Sequence, residues 1–399
     1  MKSKIARLFR WLFAKPNPPF QPSGTKQRIA FITKGSFSYA NTRILKALEN
    51  SFPEYEVEHI DLAELLQENK LVCILNLFAI FWVYGSDILS RRRSIRDCFY
   101  RTPFLFFKVK KLMAARIKPG VHAFSLQTQS LLDTSTPNVP HFVYTDHTHL
   151  ANLCYPAFDR TKLLPASWIN LERQIYANAA KVFVMTHQIE RILVEQYACA
   201  PSKVSCIYIG CNLSPRIATD PKNDYQNKRI LFVGIDWKRK GGPQLIKAFD
   251  LVLEKIPEAT LVIAGCRPKL ENPNVQVLGR VPIEVVQEEY LKCSVFAFPT
   301  RIESCGFVVI EAMMHRIPVV GTPIGVMADT IRNGEDGCVV DPDDVKGLAE
   351  ALVDLLEDPD KCRRFGEKGY QLASERYSWE AVGASLREEI TKAISQPLS

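Results

Sequence analysis

"SVFAFPTRIESCGFVVIEAMMHRIPVVGT", residues 294–322, decides how this chain folds. "SVFAFPT" is an apolar run of strand length that ends in Pro and Thr, and "IPVVGT" is a second such run. Between them "FVVIEAMMHR" reads as a helix, entered through a Cys-Gly-Phe turn. Strand, turn, helix and strand in so short a span make the unit from which parallel sheets with helices on their faces are built. Glu303 stands just before the turn and Glu311 lies inside the helix, eight positions later.

The same alternation extends in both directions. "RILFVGID" (229–236), "ATLVIAGC" (259–266) and "VQVLG" (275–279) read as strands, with "GPQLIKAFDLVLEKI" and "PIEVVQEEYLKC" as helices between and after them. Upstream, "RIAFITKGSF" (28–37), "EYEVEHIDL" (54–62), "HFVYTDHTHL" (141–150), "KVFVMTHQ" (181–188) and "VSCIYIGCN" (204–212) repeat the pattern. A polar stretch, 214–228, separates the two series. The expectation is an α/β protein of two doubly wound domains facing a cleft, with ligands off the carboxyl ends of the strands. The boundaries are set at 1–27 for an N-terminal segment, 28–212 and 213–375 for the two domains, and 376–399 for a closing helix and tail. A chain of 399 residues is long for one core, which agrees with two.

Eleven cysteines are dispersed with no C-x-x-C pair, which fits free thiols in a reducing compartment better than a disulfide framework or zinc site. The net charge of +8 is localised. Between Gly85 and Lys118, ten Lys or Arg residues face only Asp87 and Asp97, so this window equals the excess of the whole chain. Arg91, Arg92 and Arg93 form its densest part. Such a patch suits an anionic surface, and aromatics clustered around it ("FYRTPFLFFKVKK", 99–111) suit lipid better than nucleic acid. "MKSKIARLFRWLFAKPNPPF" (1–20) adds a basic amphipathic helix in which Trp11 and Phe13 are membrane candidates. Arg7 and Arg10 interrupt any signal-peptide core. "LVCILNLFAIFWVY" (71–84) is too short an apolar run to span a bilayer; its default reading is a buried helix, and the basic window that follows at once leaves an interfacial segment as the alternative.

Three features carry chemistry. "VGIDWKRKGG" (233–242) sets Lys238, Arg239 and Lys240 between Gly234 and Gly241-Gly242, where backbone amides and cations can meet an anion. Gly306 and Phe307 open a helix, whose first amides are a second anion site. The carboxylates of Glu303 and Glu311 then suit the hydroxyls of two sugars joined through a diphosphate. Gly35, in the loop after the first strand, completes the donor-facing set. Each feature has an ordinary alternative: a solvated basic loop, or glutamates that only favour a helix N-terminus. Glycoside hydrolysis would also use paired carboxylates, but it leaves the basic turn without a task. "DPDD" (341–344) reads as a helix cap, and no metal site is expected.

Over residues 140 to 390 these motifs resemble glycosyltransferase family 4, the retaining GT-B enzymes. "PTRIESCGFVVIEAMMHRIPVVGTPIG" is similar to that family's E-x7-E segment, "FVGIDWKRKGG" to its diphosphate-binding lysine turn, and "RYSWEAVGASLREEI" to its closing helix, which crosses back onto the first domain. The resemblance implies a retaining sugar transfer from a nucleoside-diphosphate sugar, with no cofactor and no essential metal. It implies that His147 lies near the reacting sugar, that Lys240 and a neighbouring cation meet the leaving diphosphate, that Glu303 positions the donor sugar, and that Glu311 takes the ribose. Asp146 and His149 are local competitors of His147. Ile235 stands where the family commonly has Arg, so Arg239 or Lys238 is expected as the second cation. The acceptor is read as a lipid, lipid-linked or saccharide molecule, with the protein cytoplasmic and peripheral on the cytosolic face of a membrane. A non-catalytic sugar-nucleotide binder and a nucleotide-sugar epimerase are the alternatives.

Overall fold

The protein is described by a computed structural model covering residues 26–35, 40–156, 158–212, 225–325 and 327–395. Trp11 and Phe13, with the rest of the amphipathic segment, lie outside the described residues. The first lobe is a six-stranded sheet of β1 (Arg28–Thr33), β2 (Glu56–Asp61), β3 (His122–Thr128), β4 (His141–Thr145), β5 (Lys181–Val184) and β6 (Val204–Cys206), in the order β2-β1-β3-β4-β5-β6. Its neighbouring strands are all parallel.

The second lobe holds β7 (Arg229–Val233), β8 (Thr260–Ala264), β9 (Val275–Gly279), β10 (Val295–Phe298), β11 (Val319–Gly321) and β12 (Gly337–Val339). Their order, β12-β11-β10-β7-β8-β9, is again parallel throughout. Read from the other edge it is the dinucleotide-fold order 3-2-1-4-5-6, and it reverses between β7 and β10. A crevice opens at such a reversal, because the loops leaving the two strands turn to opposite faces. The basic turn follows β7 and the Glu303 turn follows β10, so the reversal brings the two motifs together.

β3 escaped the sequence reading. Its side chains Ser125 and Gln127 are polar yet buried, and they break the apolar run that marks the other strands. They are satisfied internally: Ser125 Oγ lies 2.8 Å from His141 Nδ1, and Gln127 Nε2 donates to the Gln129 and Leu132 carbonyls at 2.7 and 3.0 Å.

The expected burial of residues 71–84 is corrected. They form most of the helix Lys70–Leu89, but only Cys73, Asn76, Ile80 and Tyr84 are buried. Asn76 Nδ2 donates to the Phe99 carbonyl at 2.8 Å and the Tyr84 hydroxyl to the Arg101 carbonyl at 2.6 Å, which ties that face to the lobe. The opposite face, with Leu71, Phe78 and Trp82, is exposed.

The final helix, Trp379–Ser395, crosses back from the second lobe. It packs on the first-lobe helix Ala40–Ser51, where Gly383 admits Ser51 and Ala47 so closely that a β-carbon would meet Ser51 Oγ at 2.5 Å. Arg387 lies over the Phe52 ring at 4.8 Å and pairs with Glu54, and Lys181 pairs with Glu389. Where the chain leaves the first lobe, the Cys211 amide donates to the Tyr377 carbonyl at 2.7 Å and Trp379 Nε1 donates to the Cys211 carbonyl at 2.8 Å. All eleven cysteines are free thiols.

Candidate functional site

The turn after β7 folds back sharply enough to bury its last cation. Gly241 has φ +76°, and a β-carbon there would lie 1.8 Å from the Pro299 carbonyl oxygen, so only glycine fits. That close approach sets Lys240 against β10. Its Nζ pairs with the Glu303 carboxylate and lies 4.8 Å from the Phe298 ring centroid. Burial pulls the Lys240 pKa below the ordinary lysine value, and Glu303 opposes that pull. A buried, paired cation of this kind is costly to desolvate and strongly responsive to a second negative charge.

The three cations of the turn divide their tasks. Lys238 is exposed. Arg239 is turned toward the neighbouring loop, where its guanidinium donates to the Ile302 carbonyl at 2.7 Å. The Arg301 amide in turn donates to the Arg239 carbonyl at 3.0 Å. The basic turn and the glutamate turn are therefore one hydrogen-bonded body. Gly234, under the Lys240 side chain, leaves just enough room for it: a β-carbon would come within 3.1 Å of Lys240 Cγ. Beyond it a groove of about 370 Å3 is lined by Ile235, Gly265, Cys266, Arg267 and Arg280. Neither arginine was singled out from the sequence. Their signal was present, in "GCR" after β8 and "LGR" after β9, but a lone Arg after a strand carries little information.

Gly306, at φ +58°, starts the helix Phe307–Met314, and no side chain caps it. Its first amides are left to a ligand or to water. Glu303 precedes this turn, with one oxygen taking the Ser304 amide at 3.1 Å and the other facing Lys240. Glu311 is placed differently. Its carboxyl is buried within the helix packing, with Oε2 3.3 Å from the Tyr290 hydroxyl, and burial raises its pKa to about 7. Tyr290 stacks on His315 at 4.9 Å between ring centroids.

The first lobe meets this constellation directly. The Tyr155 hydroxyl donates to the Glu303 carbonyl at 2.8 Å, and its ring stacks on His147 with centroids 5.8 Å apart and 7° between planes. Ser304 Oγ donates to Asp146 Oδ2 at 3.0 Å, and the buried Cys305 thiol lies 3.6 Å from the same oxygen. His147, Glu303 and Lys240 are thus brought to one place. Burial lowers the His147 pKa against the pull of Asp146, which favours the neutral ring, and His147 Nδ1 is buried without a partner. The competitors have other tasks. His149 Nε2 accepts from the Leu164 amide at 2.8 Å, and burial lowers its pKa to about 4. Asp146 is a contact between the lobes. Gly35 lies apart from the second-lobe set, at the end of β1 with φ +61°, its amide donating to Asp61 Oδ1 at 2.8 Å. Lys34 beside it lies 4.2 Å from the Tyr100 ring centroid, and burial, aided by Arg101 and Arg96, lowers its pKa to about 8.

Of the arginines expected at a membrane, Arg91 and Arg92 are exposed. Arg93 is occupied within the lobe, donating to Asp87 Oδ2 at 2.8 Å and to the Lys162 and Leu163 carbonyls at 3.1 and 2.9 Å.

Residues 215–372 match the family model described as "Glycosyl transferases group 1". A GDP-mannose-dependent alpha-(1-6)-phosphatidylinositol monomannoside mannosyltransferase of Mycolicibacterium smegmatis is 31% identical, covering 38% of this chain and 44% of its own length. A D-inositol 3-phosphate glycosyltransferase of Corynebacterium kroppenstedtii is 28% identical over 63% of this chain and 62% of its own. The chain therefore spans less than two thirds of these relatives. Among solved structures, sucrose-phosphate synthase from Thermosynechococcus elongatus superposes with a TM-score of 0.62 at 17% identity, covering 92% of this chain and 99% of that one. Anabaena HepE, solved with UDP and glucose, gives 0.61 at 16% identity over 92% and 100%. The chain has the GT-B fold, and the match to the glycosyl transferases group 1 family is confined to residues 215–372 of its second lobe.

Proposed function

We propose that this protein is a retaining glycosyltransferase that moves a sugar from a nucleoside-diphosphate sugar to a lipid or lipid-linked acceptor. The observation that carries the reading is the buried Lys240–Glu303 pair at the strand-order reversal, linked to His147 of the first lobe through Tyr155. A diphosphate entering this crevice meets Lys240 on one side and the uncapped amides of Gly306 and Phe307 on the other. Both are fixed before the ligand arrives, so they stabilise charge on the departing diphosphate without reorganising. Glu303 then exchanges its ammonium partner for sugar hydroxyls, which a carboxylate accepts well. His147, neutral and with a free ring nitrogen, sits where the transferred sugar would lie. We read the diphosphate charge as met by Lys240, the Phe307 helix and Arg239, which would have to release the Ile302 carbonyl, with no essential metal. Glu311 is read as the ribose partner, which requires it to exchange Tyr290 for the ligand.

Two features support an anionic, membrane-bound acceptor on the cytosolic side. Lys34, Arg96 and Arg101 gather at the end of β1, on the first-lobe side. The mannosyltransferase relative named above is described as acting on a phosphatidylinositol monomannoside. The test is nucleotide release from a panel of UDP-, GDP- and ADP-sugars, with and without lipid extract, against a Glu303→Gln control. Release from one donor, stimulated by lipid and lost in the control, supports the reading. A folded protein that binds and turns over none of them sinks it.

A further inference from the structure

The helix Lys70–Leu89 is apolar on both sides. Its inner face is spent on the lobe through Cys73, Asn76, Ile80 and Tyr84, while the outer face is left in solvent. Relative exposure is 92% at Trp82, 84% at Leu89, 72% at Phe78 and 68% at Leu71, values usual for charged side chains and not for these. Positions 71, 74, 78, 82 and 89 follow helical spacing, so these residues form a stripe along about 30 Å of helix. A stripe of this size is an interaction surface.

We infer that this outer face is a monotopic docking surface, laid in the plane of an anionic lipid bilayer with Leu71, Phe78, Trp82 and Leu89 inserted among the acyl chains. The inference deepens the membrane-bound acceptor reading and rests on it only for where the acceptor lies. Charge selects the occupant. No acidic residue occurs from Lys70 to Ser86, and Asp87 is paired with Arg93. Exposed Arg91 and Arg92 follow the stripe. The adjoining helix Pro103–Arg116 adds Lys108 and Lys111, which with Phe104 and Phe107 line a groove of about 380 Å3. An apolar stripe flanked by cations matches the interface of a membrane bearing anionic headgroups.

The other occupants are less suited. A second copy of the chain would set Arg91, Arg92, Lys108 and Lys111 near their own images. The chain's own segment 1–20 carries Lys2, Lys4, Arg7, Arg10 and Lys15, again of like sign. The helix is long enough to cross a bilayer. However, Asn76 and Tyr84 are hydrogen-bonded to backbone of the lobe, so crossing would break those bonds and strip the inner face from its core.

The experiment is co-sedimentation of the full chain with vesicles of phosphatidylcholine, alone or mixed with phosphatidylglycerol. The paired substitution Phe78→Ser and Trp82→Ser removes apolar bulk from an exposed face and is expected to weaken binding to the mixed vesicles about tenfold or more. Arg91→Ser with Arg92→Ser should weaken binding to the mixed vesicles and flatten its salt dependence. As a check independent of any folding defect, Trp82→Phe should retain binding and lose the part of the fluorescence quenched by brominated lipid. Nucleotide release without vesicles reads the transferase site separately, and these variants should leave it unchanged. Unaltered vesicle binding by the Phe78/Trp82 variant overturns the inference, whether binding then proves to need residues 1–20 or the variant instead dissolves a dimer. So does failure of the full chain to bind the mixed vesicles.

Discussion

The Tyr155 hydroxyl donates to the Glu303 carbonyl at 2.8 Å, so a first-lobe side chain is fastened to the backbone that carries the second lobe's carboxylate. The same Tyr155 ring stacks on His147, which links both candidate reacting-centre residues to one aromatic side chain. The closed cleft is held by a few such contacts, including Ser304 to Asp146 and the His187 amide to Asp329 Oδ2 at 2.6 Å.

Tyr155→Phe keeps the stack and removes only the bond to Glu303. One hydrogen bond contributes about 1 kcal/mol, so the closed-to-open ratio should fall roughly fivefold. Turnover at saturating donor should fall by up to that factor, while the melting temperature changes little. Steady-state kinetics beside a thermal melt would check this, and unaltered turnover would show that closure does not depend on this contact.

Lys240→Met and Glu303→Gln should each reduce nucleotide release by about a hundredfold or more, since each removes preorganised charge from the site. The pair acts as a unit, so the double variant should be far less impaired than the product of the two losses. Glu303→Gln also leaves a buried ammonium without its carboxylate and should destabilise the fold by about 3 kcal/mol, less whatever Lys240 recovers by releasing its proton. Denaturant titration of the four proteins gives the stability side of this cycle.

The Glu311 carboxyl, with its pKa raised by burial to about 7, predicts a pH signature. In the unfolded chain this group loses its proton near the ordinary carboxylate value, whereas the folded chain keeps it to about 7. Folded protein thus binds the extra proton in that window, and stability falls as pH rises through it. Glu311→Gln should match the parent near pH 4 and exceed it by up to about 3 kcal/mol near pH 8. Buried Glu172, whose pKa burial also raises to about 7, keeps part of the slope in the variant. Melts across pH would read the difference directly, and parallel curves would show that Glu311 is already ionised in the fold.

Gly241→Ala should cost about 2 kcal/mol or more, because the residue has φ +76° and its β-carbon would strike the Pro299 carbonyl. Relief of that clash moves Lys240 away from Glu303, so donor affinity should fall together with stability. Isothermal titration with nucleoside diphosphate and a thermal melt on the same sample would show whether the two move together.

Much of this was written in local sequence. After the Arg229 and Thr260 that open β7 and β8, strands β7, β8 and β10 are runs of Ile, Leu, Val, Ala and Phe, and the two turns that follow β7 and β10 carry their glycines and charges in order. What the sequence could not show was the meeting of remote segments. Tyr155 has no motif, and its importance comes from the closed arrangement of the lobes. β3 was hidden because its buried polar residues are satisfied by partners such as His141. The Lys70–Leu89 helix misled for the opposite reason: its composition is that of a core, but apolar composition does not say whether protein or lipid is the solvent. Glu311 is expected at the cleft from its position one turn inside the helix, but its contact with Tyr290 could not be read from that position. Helical spacing sets a side chain's direction but not its neighbour.

The crossover helix has a consequence for biosynthesis. The surface of Ala40–Ser51 that receives Gly383, Leu386 and Arg387 is made early, and its cover is made last. On the ribosome the first lobe therefore emerges with an apolar seam that its own residues do not close, and it must persist through the synthesis of the whole second lobe. Closure of that seam needs the residues from Trp379 onward, so a nascent chain stalled or cleaved before Trp379 would present it to chaperones or to aggregation.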